Sequence, residues 1–130
     1  MRSPEQILRE SRTIAIVGAS PRPDRPSHGV MRYLLAAGYR VIPVRPRDCG
    51  EVLGVPCVTC LAEIEEPIDL VDVFRRPEYT LDVAREAVAV GAKALWLQLG
   101  IVSEEARRIA EDAGMDYVEN ACTAVVHRYL

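Results

Sequence analysis

The chain of 130 residues has no apolar run approaching the roughly 18–20 residues that a membrane span requires, so no spanning helix is expected. Its first residues, Met1-Arg2-Ser3-Pro4-Glu5-Gln6, lack the charged-then-apolar layout of a secretory leader. Cysteine is sparse: Cys49, Cys57, Cys60 and Cys122 are too few and too unevenly placed for a disulfide scaffold in a chain of this size. These absences point to a reduced, cytoplasmic setting. Lysine is nearly missing as well. Lys93 stands alone among 16 basic residues, the rest being arginine. The formal charge of −3 argues against a general nucleic-acid binder, whose footprint is strongly basic. Arginine can clamp a phosphate through paired hydrogen bonds, so the places where it clusters carry the functional signal.

What is present is a single domain's worth of chain, large enough to bury a core without metals or cross-links. The central stretch is Ile14-Ala15-Ile16-Val17 running into Gly18-Ala19-Ser20. An unbroken apolar run bounded by turn residues suits a strand buried on both faces, as in a parallel sheet. The following helix would offer its free N–H groups and positive dipole end to an anion.

Strands are expected at 13–17, 40–44, 68–74, 94–100 and 116–119, with a short edge strand within 52–58. Helices are expected from Ser3-Pro4 to about Ser11, from Ser27 or His28 to Ala37, at 79–90, from Ser103 to Gly114, and at 122–129, with a turn or two over 60–64. Pro43 cannot donate to a ladder, so one side of the second strand must be free or irregular there. Alternating strands and helices predict a three-layer α/β, Rossmann-like fold with a mainly parallel sheet of five or six strands. Right-handed crossovers bring the loops 18–27, 45–50, 74–78, 98–102 and 119–122 to one edge, where such sheets bind ligands.

The fingerprint G-x-G-x-x-G is absent, because positions 18, 20 and 23 are Gly, Ser and Pro. The second strand ends in Val44-Arg45-Pro46-Arg47, two positive charges where an NAD-binding protein places a carboxylate. That charge favours a nucleotide carrying an extra ribose phosphate, NADP on the 2′ position or coenzyme A on the 3′. The first loop brings Arg22 and Arg25, next to Pro26 and Ser27, towards the same turn. Candidate ligand residues are therefore Gly18, Ala19, Ser20, Arg22, Arg25, Pro26, Ser27, Val44, Arg45, Pro46 and Arg47. The ends of the third and fourth strands reach the same edge with Val73, Phe74, Arg75, Arg76, Leu99 and Gly100, which enter the set through the family resemblance that follows.

Gly18-Ala19-Ser20, Arg25-Pro26-Ser27, the stretch from Gly38 to Val44, Val71 to Arg76 and Trp96-Leu97-Gln98-Leu99-Gly100-Ile101 resemble the stand-alone CoA-binding domain proteins over nearly the whole chain. That family is similar to the CoA-binding domain of succinyl-CoA synthetase α chains and NDP-forming acyl-CoA synthetases. The resemblance implies that Gly18, Ala19 and Ser20 meet the diphosphate, with Arg25 and Ser27 nearby. It implies that Arg45, Pro46 and Arg47 hold the adenosine and its phosphate, and that Val73, Phe74 and Arg75 flank the nucleotide or pantetheine. Arg45-Pro46-Arg47 replaces the family's usual Asn-Pro-Lys. Ala121-Cys122-Thr123-Ala124 keeps the cysteine of an Arg-Cys-Pro-Lys motif but loses both basic groups.

Other signals weigh less. Cys57 and Cys60 have metal spacing but no second close pair. His28 is placed to contact a phosphate or to cap the helix, His127 reads as structural, and Cys122 as a small buried residue that could also reach a CoA thiol. Asp69 and Asp72 lie within a strand rather than at its end. The expectation is a protein that binds CoA or an acyl-CoA without catalysing a reaction, with no nucleic-acid or membrane partner. The alternatives are an NADP-dependent oxidoreductase and a CoA-binding accessory subunit of an acyl-CoA ligase; a homodimer or protein partner is left open.

Overall fold

A computed structural model of the protein describes residues 1–47 and 50–130; Asp48 and Cys49, in the loop after the second strand, lie outside the described residues. The chain runs α1 (Pro4–Glu10), β1 (Thr13–Val17), α2 (Pro26–Ala36), β2 (Arg40–Val44), β3 (Glu51–Val52), β4 (Val55–Pro56), a 3-10 turn at Leu61–Glu63, β5 (Leu70–Val73), α3 (Pro77–Ala89), β6 (Ala94–Leu97), α4 (Glu104–Asp112), β7 (Asp116–Val118) and α5 (Thr123–Arg128). The five-stranded sheet has the order β2-β1-β5-β6-β7, and every pair in it is parallel. The direction of winding reverses between β1 and β5, which sets the ligand edge at the carboxyl ends of those two strands.

Strand residues alternate between two cores, as the two-residue period of a strand requires. Ala15, Val17, Val71, Val73, Leu95 and Leu97 face α3 and α4. Ile14, Ile16, Leu70 and Trp96 pack with Ile7, Leu8, Met31 and Leu34 on the opposite side. The first helix starts as its sequence suggests: Ser3 accepts from the Gln6 N–H and Gln6 reaches back to the Ser3 N–H.

Three expectations change in detail. The stretch 52–58 is not a sixth strand of the main sheet but a small antiparallel hairpin, β3–β4, turned by Leu53 and Gly54 at positive φ, with one bridge from Val58 to Val44. Pro43 explains why: its carbonyl accepts from the Val58 N–H on the outer side of β2, so the missing proline donor also lies on the side that no neighbouring strand needs. The strand expected at 94–100 stops at Leu97, because Gln98 to Ile101 close a tight turn with Gly100 at φ 82°. The third helix begins two residues earlier than its apolar period suggests, since Pro77 occupies its first turn.

Candidate functional site

The carboxyl end of β1 turns at Gly18, whose φ is 89° and whose missing side chain leaves room for the Phe74 backbone. A Cβ there would lie 3.1 Å from both the carbonyl carbon and oxygen of Phe74 and 3.3 Å from Cδ of Arg75. Gly18→Ala is therefore expected to lower stability by about 1–3 kcal/mol, through left-handed strain and displacement of the 74–75 backbone. Urea unfolding measures this, and an unchanged midpoint would refute it.

The amides of this turn are partly occupied. The Gly18 N–H donates to the Val44 carbonyl at 3.0 Å and the Ala19 N–H to the same oxygen at 3.4 Å. Gly18 thus supplies close approach between loops, and the anion donors must come from further along. The start of α2 is where they lie. Arg25 is its N-cap residue and makes no side-chain cap, Pro26 fills the first turn, and Ser27 is 4% exposed with a hydroxyl that hydrogen-bonds no described residue. Pro26 has no N–H and the His28 N–H donates to the Arg25 carbonyl at 3.0 Å, so this 11-residue helix offers the cleft the Ser27 N–H and the positive end of its dipole.

The loops after β1, β2 and β5 enclose an open cleft of about 590 Å³, lined by Gly18 to Arg22, Arg25 to Ser27, Arg45 to Arg47, Phe74 and Arg75. Arginine supplies its charge from three loops. Only Arg22 has a carboxylate partner, Asp24 at 3.0 Å, in an exposed pair that water screens. Among the described residues Arg25, Arg45, Arg47 and Arg75 have no ion-pair partner. Arg75 lies over the Tyr79 ring, 4.4 Å from its centroid, which steadies the guanidinium without neutralising it. Among the described residues, four guanidiniums without a carboxylate partner thus concentrate positive charge around one cleft.

A family model for the CoA binding domain matches residues 12–128. The chain belongs to the CoA-binding domain family. It is 44% identical over 123 residues to the uncharacterized protein YneT of Bacillus subtilis, covering 95% of this chain and 90% of that one. It also matches the solved structure of a hypothetical protein from Pyrococcus horikoshii at 39% identity and a TM-score of 0.93, covering 99% of this chain and 92% of the other. The fold recurs within a longer protein, the acetyl-coenzyme A synthetase 1 of Ca. Korarchaeum cryptofilum, with a TM-score of 0.77 at 24% identity over 90% of this chain and 27% of that one.

Not every candidate of this CoA-binding domain reaches the cleft. Val44 and Val73 are buried beneath it, 4% and 0% exposed, and act through their backbone. Arg76 caps α3 on the exposed surface, and Leu99 and Gly100 lie in the exposed turn after β6, outside the cleft lining. Pro21 lines the cleft but was not among the candidates. His28 is buried and paired with Arg32 at 3.3 Å rather than facing the cleft. Cys60 and Cys122 are free thiols, so Cys57 and Cys60 are not cross-linked to each other. His127 bonds the Tyr33 hydroxyl at 2.9 Å, in keeping with a structural role. Among the described residues no helix is long and apolar enough to cross a membrane.

A carboxylate within an apolar strand, Asp72, is the one sequence signal of a buried polar cluster beside the cleft. Asp72 is fully buried, its Oδ1 accepting from Gln98 Nε2 at 2.5 Å and its Oδ2 from the Thr123 hydroxyl at 2.9 Å. Gln98 Nε2 also donates to Thr123 Oγ1 at 3.0 Å. Burial pushes the Asp72 carboxyl up to about 7, against the two hydrogen bonds, which pull it down. Asp69 behaves differently. Burial works to raise it, but the Thr13 and Arg12 N–H groups and Lys93 outweigh burial and hold its carboxyl below the ordinary range.

Proposed function

We propose that the protein binds coenzyme A or an acyl-CoA through its phosphates and holds it without catalysing a reaction. The observation that carries this reading is the set of four unpaired arginines, Arg25, Arg45, Arg47 and Arg75, around the cleft at the winding reversal. The diphosphate would meet the open start of α2 with Ser27 and Arg25, and the 3′-phosphate would meet Arg45 and Arg47. Membership of the CoA-binding domain family supports the same ligand.

A thermal-shift panel with CoA, dephospho-CoA, NADP and NAD tests the reading. CoA at 100 times its dissociation constant should add roughly 2.7 kcal/mol of stability, with less from dephospho-CoA and least from NAD. Stabilisation by NADP without stabilisation by CoA would replace the proposal with a dinucleotide site. The non-catalytic half is tested by incubating the protein with acetyl-CoA and following free thiol. Protein-dependent release above the buffer rate would overturn it.

A further inference from the structure

Gln98 directly follows β6, and its backbone N–H donates to the Val73 carbonyl at 3.2 Å, so it sits one strand over from Phe74 and Arg75 of the cleft. The residue is 4% exposed. Its Nε2 faces inward, held by Asp72 Oδ1 and Thr123 Oγ1. Asp72 Oδ1 accepts whether the carboxyl is ionised or carries its proton on Oδ2, so Asp72 dictates which end of the amide turns inward. The other end, Oε1, hydrogen-bonds no described residue, and no buried side-chain polar atom among the described residues lacks a partner; Oε1 therefore keeps some contact with solvent at the carboxyl end of β6, next to the cleft rather than in its lining. A side chain this buried, oriented by two partners, leaves one fixed acceptor pointing out of the protein. A fixed acceptor selects a donor.

We infer that Gln98 is a specificity residue whose Oε1 accepts a hydrogen bond from an amide N–H of the pantetheine arm of CoA, with Asp72 and Thr123 as its positioning residues. The inference rests on the CoA reading above. The arm leaves the diphosphate near Ser27 and crosses the edge past Phe74, which brings its amides towards the end of β6. The arginines then read the nucleotide, and Gln98 reads the arm that plain nucleotides lack.

The test is calorimetric titration of wild type and Gln98→Met with CoA and with adenosine 3′-phosphate 5′-diphosphate, the same nucleotide without pantetheine. Met keeps the length of the side chain but removes both the Oε1 acceptor and the Nε2 donor to Asp72 and Thr123, so the truncated nucleotide is the control for any disturbance of that cluster. CoA affinity should fall about 2- to 12-fold, the range of one net hydrogen bond, and the truncated nucleotide should bind both proteins equally. Equal losses for both ligands, or none for CoA, would overturn the inference. If wild type binds neither ligand, the CoA reading itself fails. Should Gln98→Met not fold, the side-chain amide signal of Gln98 in the NMR spectrum of wild type decides. It should move with CoA and stay in place with the truncated nucleotide, and a signal unmoved by CoA would overturn the inference.

Discussion

Replacing Arg45 and Arg47 together by alanine is expected to weaken CoA binding by about 30- to 150-fold while costing dephospho-CoA only a few-fold. Both residues follow β2, and neither has an ion-pair partner among the described residues. A hydrogen bond to a charged group contributes about 1.5–3 kcal/mol, and solvent screening of these exposed arginines reduces each to about 1–1.5 kcal/mol. Two of them give about 2–3 kcal/mol, which at 1.4 kcal/mol per factor of ten yields the stated loss. The difference between the ligands is the informative quantity, because dephospho-CoA lacks only the 3′-phosphate. Added salt should shrink the gap, since exposed charges are screened within about 10 Å at 0.1 M. Titration calorimetry of both ligands at two ionic strengths measures it. Equal losses for CoA and dephospho-CoA would remove these residues from the ribose phosphate and move them to the diphosphate.

The order of strands and helices was legible because each buried strand is a short apolar run stopped by Gly or Pro, and each helix carries a cap or an apolar face. The cleft was legible for the same reason: parallel strands bring their following loops to one edge, and arginine marks the loops that line it. The hairpin at 51–56 was less so, since Val52 and Val55 have the composition of a strand but only Pro43 reveals that β2 has no ladder to offer there. The family resemblance implies that Gly18 and Ala19 meet the diphosphate. That Val44 takes both N–H groups depends on the spacing of β1 and β2 across the sheet, which no local pattern encodes. The polar cluster is the extreme case. Asp72, Gln98 and Thr123 are separated by 26 and 25 residues along the chain, and only the folded sheet sets them side by side. A carboxylate in the middle of an apolar strand was the one available signal, and its partners could not be named from the sequence.

That carboxylate gives the protein a stability profile that falls as pH rises through the acid range. Asp72 titrates near 7 in the folded protein, whereas its ordinary value is 3.8. Between those limits the folded state keeps a proton that the unfolded chain has released, so the unfolded state binds fewer protons and stability declines with pH. The full contribution is present below about pH 4 and is lost by about pH 7. Three pH units at 1.36 kcal/mol each set the size of the loss on the order of 4 kcal/mol. Asp69 acts in the opposite sense but in another window. Its carboxyl is held below the ordinary range, so its contribution is present above about pH 4 and is lost only at lower pH. Asp72→Asn isolates the effect, because asparagine has nearly the same shape and does not ionise. Urea unfolding at intervals from pH 4.5 to 8 should show the wild type losing several kcal/mol relative to this variant, with Asp72→Asn the more stable protein at pH 8. Asparagine must also accept from Gln98 and Thr123 through a single oxygen, so a constant offset between the curves reports that lost hydrogen bond, and their changing separation reports the proton. Parallel curves over the whole range would mean that Asp72 is ionised in the folded protein throughout. The buried cluster would then be held by its hydrogen bonds alone.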